Sequence, residues 1–442
     1  MAITSDEKKV LASLVDKARK YSWKDEKLSR YYQGMQRLEQ LGLAIPPELR
    51  RFVTVVNWPR MYVDAIEQRQ DVKMILRPGE TKADPWLQNL YRVNNLASEL
   101  TLYRQDKYVY GRSFLCVGTN EDDPEHPLIT VESPREMTVE VDARTRRLKS
   151  ALRLYNVVSG EAQNATLYLP DATIWLDRKG GKFVESSRDD HQLGRLPIVM
   201  GLNRRTTGDW VGVSEMADII SITDAAARSL TNLQVAQETH AIPPRWAAGM
   251  SKGDFADADG NMLPTWEAYY GAVWATDNKD AKFGQFAASD LKNFHETVKL
   301  YGALGASLTG LPSDYFGINT TNPPAEGAIK ARESRIDKNV ERKNTQEGTE
   351  LGWALGIAER FTSGEWPQGS RVDVQYHDPG TPTFAQKADA LQKLAGGKSI
   401  ISREGAWDEL GWSEARKDQE RGYMQSELSA EWAAMEPASA GE

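Results

Sequence analysis

The sequence predicts an α+β fold, in which helices and antiparallel strands occupy separate stretches of the chain. Three observations support this prediction. Apolar residues recur at helical spacing near both ends, short runs bounded by turns fill the stretch from Leu128 to Pro197, and long amphipathic patterns begin again at Ser214. The 442 residues correspond to about three domains at roughly 150 residues each.

The N-terminal segment is predicted to form helices. Apolar residues such as Val10, Leu14 and Leu38 recur every three or four positions from Asp6 to Leu41. The pattern is broken near Ser22 to Asp25. We therefore expect two helices in this segment.

The next helical pattern extends from Glu48 to Met74, and Pro59 interrupts it. Proline removes a backbone donor, so we expect the helix to resume after this residue and to end near Val72. The stretch Asp84 to Tyr110 predicts another long helix. It leads into Ser113 to Val117, whose composition is typical of a strand.

Between Leu128 and Pro197 the pattern predicts an antiparallel β subdomain. Glycine-containing turns at Val158 to Gly160 and at Arg178 to Gly181 indicate hairpins. The predicted strands are Leu128 to Val131, Met137 to Asp142, Lys149 to Tyr155, Ala165 to Leu169, Thr173 to Asp177 and Lys182 to Glu185. A further strand is expected at Ile198 to Leu202.

Two amphipathic helices follow, and a lobe without long periodic segments separates them. Ser214 is suited to the N-cap of the first helix and Ser289 to that of the second. The lobe, Arg245 to Ala287, is rich in Gly, Ala, Asp and Trp. The apolar stripe of the first helix contains Met216, Ile219, Ile220, Leu230 and Leu233, and that of the second contains Leu291, Phe294, Val298, Tyr301, Leu304 and Leu308. Of the second stripe, Leu291, Phe294, Val298 and Tyr301 are the candidates for contact with another subunit.

The second helix is expected to end at Gly310 and Pro312. Leu311 to Pro324 is dense in Gly, Pro, Asn, Thr and Ser, which predicts a loop without regular structure. A helix about 50 Å long is expected from Ala325 to Phe361. A strand at Arg371 to Tyr376 and short helices from Thr383 onward complete the prediction, and the polar tail Pro437 to Glu442 is expected to be disordered.

Composition excludes several functional classes. The net charge of −8 disfavours a protein that holds DNA statically over its whole surface, because such binding requires neutralisation of the phosphates. The sequence contains no run of about 18 apolar residues, so we expect no membrane span. The N-terminus lacks the apolar core of a secretory signal, so we expect the protein to stay in the cytoplasm. Cys116 is the only cysteine, which excludes an intrachain disulfide.

Catalytic and metal-binding motifs find no support in the sequence. The five histidines are scattered, and the chain contains no Walker A sequence. Asp254, Asp257 and Asp259 resemble a calcium-binding loop, but no properly spaced glutamate follows Gly260. We therefore predict no catalytic, cofactor-binding or metal-binding residues.

The order of these elements, together with several short stretches, resembles the portal proteins of tailed phages, particularly of long-tailed phages with Gram-positive hosts. The resemblance extends over nearly the whole chain. Its residues are Tyr31 to Gly34, Asn57 to Arg60, Tyr110 to Ser113, Gly212 to Glu215, Lys387 to Ala390 and Leu410 to Ser413.

The resemblance implies a portal fold in named regions. Residues 1–202 would form the wing, 203–238 a loop and the first stem helix, 239–288 the clip, 289–310 the second stem helix, 311–324 the tunnel loop, 325–382 a long wing helix with a strand, and 383–442 the crown and tail. The two apolar stripes would then contact neighbouring subunits. The tunnel loop would line the DNA channel with Ser313, Asp314, Tyr315, Asn319, Thr320, Thr321 and Asn322, and it contains no Lys or Arg.

The resemblance also implies a function and partners. The protein would form a ring, usually a dodecamer, at one vertex of the virion, assembled in the host cytoplasm. Double-stranded DNA would pass through it, and the terminase large subunit, a head-completion or adaptor protein, and the major capsid and scaffold proteins would bind it. A different capsid or tail structural protein, and an enzyme of another family, remain the alternatives.

Overall fold

The computed structural model describes residues 3–36, 53–240, 245–249, 280, 282–285, 291–318, 326–367, 372–380, 384–395, 399–412 and 414–435. It confirms the predicted mixture of helices and mainly antiparallel strands. The chain forms two compact units, Met1–Pro379 and Gly380–Glu442. No helix among the described residues is long and apolar enough to cross a membrane.

The first unit contains most of the regular structure. Its helices are α1 (Ser5–Gln33), α2 (Trp58–Glu67), α3 (Pro85–Val93), α4 (Leu96–Tyr110), α5 (Ile220–His240), α6 (Lys292–Thr309) and α7 (Glu326–Ser363), with 3-10 helices at Glu215–Asp218 and Ser313–Phe316. Its strands are β1 (Val72–Leu76), β2 (Arg112–Gly118), β3 (Leu128–Glu132), β4 (Met137–Val141), β5 (Leu148–Val158), β6 (Glu161–Tyr168), β7 (Thr173–Lys179), β8 (Lys182–Asp189), β9 (Ile198–Leu202), β10 (Arg245–Ala248), β11 (Lys282–Gln285) and β12 (Asp373–Tyr376).

Helix α1 is continuous, so the predicted break near Ser22 to Asp25 is wrong. That stretch contains neither glycine nor proline, and tertiary contacts fix it in place. The Arg112 guanidinium lies over the Tyr21 ring, 5.5 Å from its centre, and donates to the buried Asp25 carboxylate at 2.7 Å. The polar residues that weaken the amphipathic pattern are thus the ones that attach the helix to β2.

The second helical region also differs from its prediction. Pro59 lies in the first turn of α2, where a missing N–H costs nothing, so it helps to begin the helix. The helix ends at Glu67, and Val72–Leu76 is a strand paired with β12. The predicted helix from Asp84 to Tyr110 is two helices, because Asn95 adopts a left-handed backbone with a φ of 50°.

The predicted strands and both hairpins are confirmed, but they belong to two sheets. Strands β4 to β8 form a five-stranded antiparallel sheet in sequence order, and α1 packs against it. The strand β3 instead joins a three-stranded sheet of order β3-β2-β9. Alternation alone gives the strands but not their partners, because the same pattern suits either sheet.

The amphipathic helices begin later than predicted. Ser214 caps the 3-10 helix Glu215–Asp218, and α5 follows it from Ile220. Leu291 occupies the N-cap of α6 without a side-chain cap bond, and Ser289 lies outside the described residues. Strands β10 and β11 pair between the two helices, with Arg245 opposite Gln285. Asp254, Asp257 and Asp259, which resemble a calcium-binding loop in sequence, also lie outside the described residues.

Helix α7 is confirmed as a very long helix of 38 residues, which spans about 57 Å. It contacts β2, β3, β9 and β12, and its apolar residues belong to two buried clusters. Ile336 and Val340 pack with α2 and α4, whereas Leu351 and Leu355 pack with α3 and β2. One helix therefore links two of the buried clusters of the first unit.

The second unit is helical, as predicted. It contains α8 (Phe384–Ala395), α9 (Arg403–Glu409) and α10 (Glu414–Met435). The rings of Trp407 and Trp412 stack at 5.7 Å, and the buried Lys417 ammonium pairs with Asp408. The tail Pro437 to Glu442 lies outside the described residues.

Candidate subunit-contact and channel site

Helix α6 has an exposed apolar stripe. Leu300, Leu304 and Leu308 follow one another at intervals of four residues and are 57%, 45% and 49% exposed. Residues four apart lie on one face of a helix. The three leucines therefore form a continuous apolar surface, which we call the leucine stripe.

The opposite face of α6 is buried inside the chain. Gly302 and Gly305 are buried there, and a Cβ on Gly305 would lie 2.6 Å from the Phe316 ring. The only charged residue between Val298 and Leu311 is Lys299. A helix that is apolar on nearly all sides requires burial on both faces. The apolar stripe predicted for this helix already contained Leu304 and Leu308, whereas Leu300 was not part of it.

Three predicted stem residues are buried within the chain. Met216 and Ile219 have no exposed surface, because the 3-10 helix that carries them packs beneath α2, and Leu233 is only 7% exposed. Met216 and Ile219 therefore have nothing to offer to a second subunit. The other predicted stem residues are half-buried, and their role in subunit contact stays a prediction: Ile220, Leu230, Leu291, Phe294, Val298 and Tyr301.

The predicted tunnel loop begins with regular structure, contrary to expectation. Ser313–Phe316 is a 3-10 helix, and it is held by the burial of Phe316. The Phe316 ring packs edge-on against Trp58 at 5.3 Å and sits in the notch formed by Gly302 and Gly305. Because Phe316 lies among turn-forming residues, its sequence context gives little sign that its side chain is buried.

Tyr315 is also tied to the rest of the first unit. The Arg69 guanidinium lies 3.3 Å from the Tyr315 hydroxyl, 3.1 Å from Glu333 and 3.7 Å from Asp337. Burial lowers the pKa of Arg69, but the Tyr315 hydrogen bond and the two carboxylates outweigh it and raise the pKa overall. Arg69 therefore stays charged and connects Tyr315, near the start of the predicted tunnel loop, with helix α7 after the loop.

The remaining tunnel-loop candidates divide into two groups. Ser313 is half-buried and Asp314 is exposed. Asn319, Thr320, Thr321 and Asn322 lie outside the described residues.

A buried ion pair joins α7 to the start of the first stem region. The Lys343 ammonium lies 2.8 Å from Glu215, and both side chains are about 5% exposed. Asn203 and Tyr62 donate to the same carboxylate at 2.8 and 2.9 Å. Burial raises the pKa of Glu215, but its hydrogen-bond and ion-pair partners, Lys343 above all, lower the pKa by more than burial raises it. The net pKa therefore lies below its usual value, and the carboxylate stays ionised.

A second buried pair joins α7 to α4. The Arg104 guanidinium donates two hydrogen bonds, of 2.9 and 2.7 Å, to the fully buried Glu347. Lys107 and Tyr103 donate to Glu350 one turn further along the helix. All these carboxylates are saturated by fixed donors, so the arrangement is suited to holding α7 in place and leaves no acid or base free to react.

The described residues contain no group of three or more His, Cys, Asp or Glu side chains that could hold a metal ion. Cys116 is buried in β2, which raises the pKa of its thiol well above the usual range.

Comparison with known proteins gives a consistent result. A family model described as "Phage portal protein, SPP1 Gp6-like" matches residues 15–432. Portal proteins of Mycobacterium phage D29 and Mycobacterium phage L5 are each 35% identical over 410 residues, covering 90% of this chain and 84% of theirs.

Among solved structures, chains from gene transfer agent particles are similar at low identity. One, from the neck of an empty particle computed with C6 symmetry, is 16% identical with a TM-score of 0.48, covering 85% of this chain and 95% of that one. Another, from the virion of a native particle, has the same identity and TM-score and covers 87% and 99%.

Proposed function

The chain belongs to the SPP1 Gp6-like family of phage portal proteins, and from this premise we propose that its copies form a closed ring around a channel for double-stranded DNA. The ring would occupy one vertex of the phage capsid, where DNA enters during packaging and leaves during ejection. We further propose that it is assembled in the host cytoplasm and contains twelve subunits, as expected from the family resemblance.

The observation that carries this proposal is the leucine stripe on α6. Leu300, Leu304 and Leu308 are about half exposed in the single chain, and soluble proteins rarely leave such a continuous apolar surface in water. A ring buries it through heterologous contacts, in which one surface of each copy meets a different surface of the next. The partner we propose is therefore a second copy of this chain, with the half-buried residues of α5 and α6 around the contact.

The proposed channel lining is weakly charged. The segment from Leu311 to Pro324 has one charged residue, Asp314, and no lysine or arginine. Lysine and arginine supply most of the affinity for DNA phosphates, so a lining without them lets DNA slide. Of the described candidates, Asp314 and Tyr315 are the most exposed, so they are the ones we expect to line the channel.

We propose the regions of a portal for the remainder of the chain: a wing at 1–202, stem helices within 203–238 and 289–310, a clip at 239–288, a tunnel loop at 311–324, a long wing helix within 325–382 and a crown at 383–442. The pairing of β10 with β11 supports the clip, because it brings together the two chain segments that enter and leave that region. The separate compactness of Gly380–Glu442 supports the crown.

We propose that the protein has no chemistry of its own and that a separate ATPase, the terminase large subunit, supplies the energy. The clip would be its docking site and later that of a head-completion protein, while the wing and crown would face the capsid and scaffold proteins. Deleting Gly253 to Gly271 should leave ring assembly intact and abolish packaging. Normal DNA filling by that variant would show that the clip assignment is wrong.

Mass photometry and negative-stain images of the purified full chain test the ring. We expect one large species of about twelve subunits with a central hole wide enough for duplex DNA. A monomer at micromolar concentration would refute the proposal. Tubes or shells would favour another capsid or tail protein, and a compact dimer with turnover would favour an enzyme.

A further inference from the structure

A groove of about 1280 Å³ lies between α7, β9 and the five-stranded sheet in the first unit. Its walls carry three tryptophans, and four arginines surround it. The arginines are Arg146, Arg147, Arg195 and Arg205, and the tryptophans are Trp210, Trp353 and Trp366. We call this site the arginine–tryptophan groove. None of the functions proposed above uses it.

Two of the four arginines, Arg195 and Arg205, lie against tryptophan rings. The Arg195 guanidinium lies 4.3 Å from the centre of the Trp353 ring and 5.7 Å from that of Trp366. Arg205 lies 4.0 Å from the centre of Trp210. Stacking fixes the plane of a guanidinium and leaves its N–H groups free to donate along the edge.

The groove lacks enough negative charge to balance these arginines. Among the described residues, no carboxylate lies within ion-pair distance of any of the four. Two acids do line the groove. Glu350 is already bound by Lys107 and Tyr103, which leaves only the exposed Asp373. In a chain with a net charge of −8, this local excess of positive charge calls for an acidic occupant.

An acidic loop with the complementary charge lies elsewhere in the same unit. The β2–β3 connection, Asn120 to His126, contains Glu121, Asp122 and Glu125, all exposed and without an ion pair among the described residues. The loop has a fixed shape. The Asn120 side chain accepts from the N–H groups of Asp122 and Asp123, and it donates to the His126 carbonyl at 3.1 Å.

The acidic loop does not line the groove of its own chain. In the sheet of order β3-β2-β9, the groove lies along the β9 edge, whereas the loop joins β2 to β3 on the other side. A closed ring requires two different surfaces of this kind on every subunit.

We infer that the acidic loop Asn120 to His126 of one copy seats in the arginine–tryptophan groove of the next, an inference that rests on the proposed ring. The loop carboxylates accept hydrogen bonds from the guanidinium groups of the groove, of which Arg195 and Arg205 are oriented by tryptophan rings.

Disulfide trapping tests the contact directly. The native chain has one cysteine, Cys116, which is buried, so introduced cysteines are the only reactive ones. The double variant Glu125→Cys with Arg146→Cys, assembled and mildly oxidised, should give a ladder of linked subunits on a non-reducing gel. Each single variant is the control and should give no ladder beyond a dimer.

Charge exchange gives a second, independent measurement. Arg146→Glu with Arg147→Glu, and separately Glu121→Lys with Asp122→Lys, should each raise the half-assembly concentration about tenfold, because like charges then face each other. All four substitutions in one chain should restore assembly. An equal mixture of the two variant chains should restore it as well, since every interface in an alternating ring is then complementary.

The outcomes separate the two proposals. If the native chain forms no ring, the proposed function fails, and this inference fails with it. If rings form but neither the ladder nor the charge rescue appears, the inference alone is overturned.

A further experiment measures binding of a single-stranded oligonucleotide to native rings. Binding that is lost in the Arg146→Glu with Arg147→Glu variant, without a ladder, would assign the groove to nucleic acid and overturn the inference.

Discussion

Replacing the leucine stripe tests the ring at its apolar contact. Full burial of a leucine contributes about 1.5–3 kcal/mol. Leu300, Leu304 and Leu308 retain about half of their surface in the single chain, so each has about 1 kcal/mol left to gain, or about 3 kcal/mol per interface. The triple substitution to serine should therefore weaken each contact about 100-fold.

The assay is mass photometry over a dilution series, with urea unfolding measured on the same samples. The half-assembly concentration should rise by about two orders of magnitude, while the unfolding of the dissociated chain changes little, because exposed side chains contribute little to its stability. Leu102→Ser with Leu128→Ser is the matched control, since these leucines are 52% and 47% exposed elsewhere in the first unit. Native-like assembly of the triple variant, or equal loss in the control, would refute the reasoning.

Three further predictions concern the stability of the chain. Lys343→Met should lower the free energy of unfolding by about 3–5 kcal/mol because it strands the buried Glu215 carboxylate, and adding Glu215→Gln should recover part of this loss in urea unfolding. Gly305→Ala should cost about 1–3 kcal/mol by displacing Phe316, and near-ultraviolet circular dichroism should report the change. Burial raises the pKa of Asp106 to about 6 against its Ser133 hydrogen bond, so its contribution to stability falls as pH rises from about 4 through 6. Asp106→Asn should remove that slope and raise the free energy of unfolding at pH 7.5 by about 3 kcal/mol, which paired urea titrations at pH 5 and 7.5 can check.

The sequence predicted elements whose cause is local. The hairpins at Val158 to Gly160 and Arg178 to Gly181 follow from turn residues between alternating strands, and the long helix α7 follows from apolar residues at helical spacing with no proline between them. The sequence-based prediction failed where contacts between residues distant in sequence determine the structure. The Ser22 to Asp25 stretch remains helical because Arg112 binds it, and β3 leaves its expected sheet for β2.

The same distinction applies to the candidate site. An apolar stripe in the sequence shows that a helix face is buried but not what covers it. Met216 and Ile219 are covered by the chain itself, whereas Leu300 and Leu304 on α6 are not. Periodicity treats both pairs alike. Only the fold separates them, because it shows which surface intramolecular packing has already used.

The contacts on either side of the predicted tunnel loop bear on how force would pass through the ring. Arg69 binds Tyr315 near the start of the loop and Glu333 after it, while Arg335 donates to the Ser307 carbonyl of α6 at 2.7 Å. Arg69 also donates to the Ala65 carbonyl of α2. These polar contacts attach the start of the loop to α2 and α7, and α7 to α6, and α7 is in turn held by the buried Lys343–Glu215 pair. Because stiff elements transmit displacement instead of absorbing it, a load applied between Tyr315 and Glu333 would reach the wing and the leucine stripe together. The ion pairs inside the subunit and the apolar contact between subunits would then resist the same force.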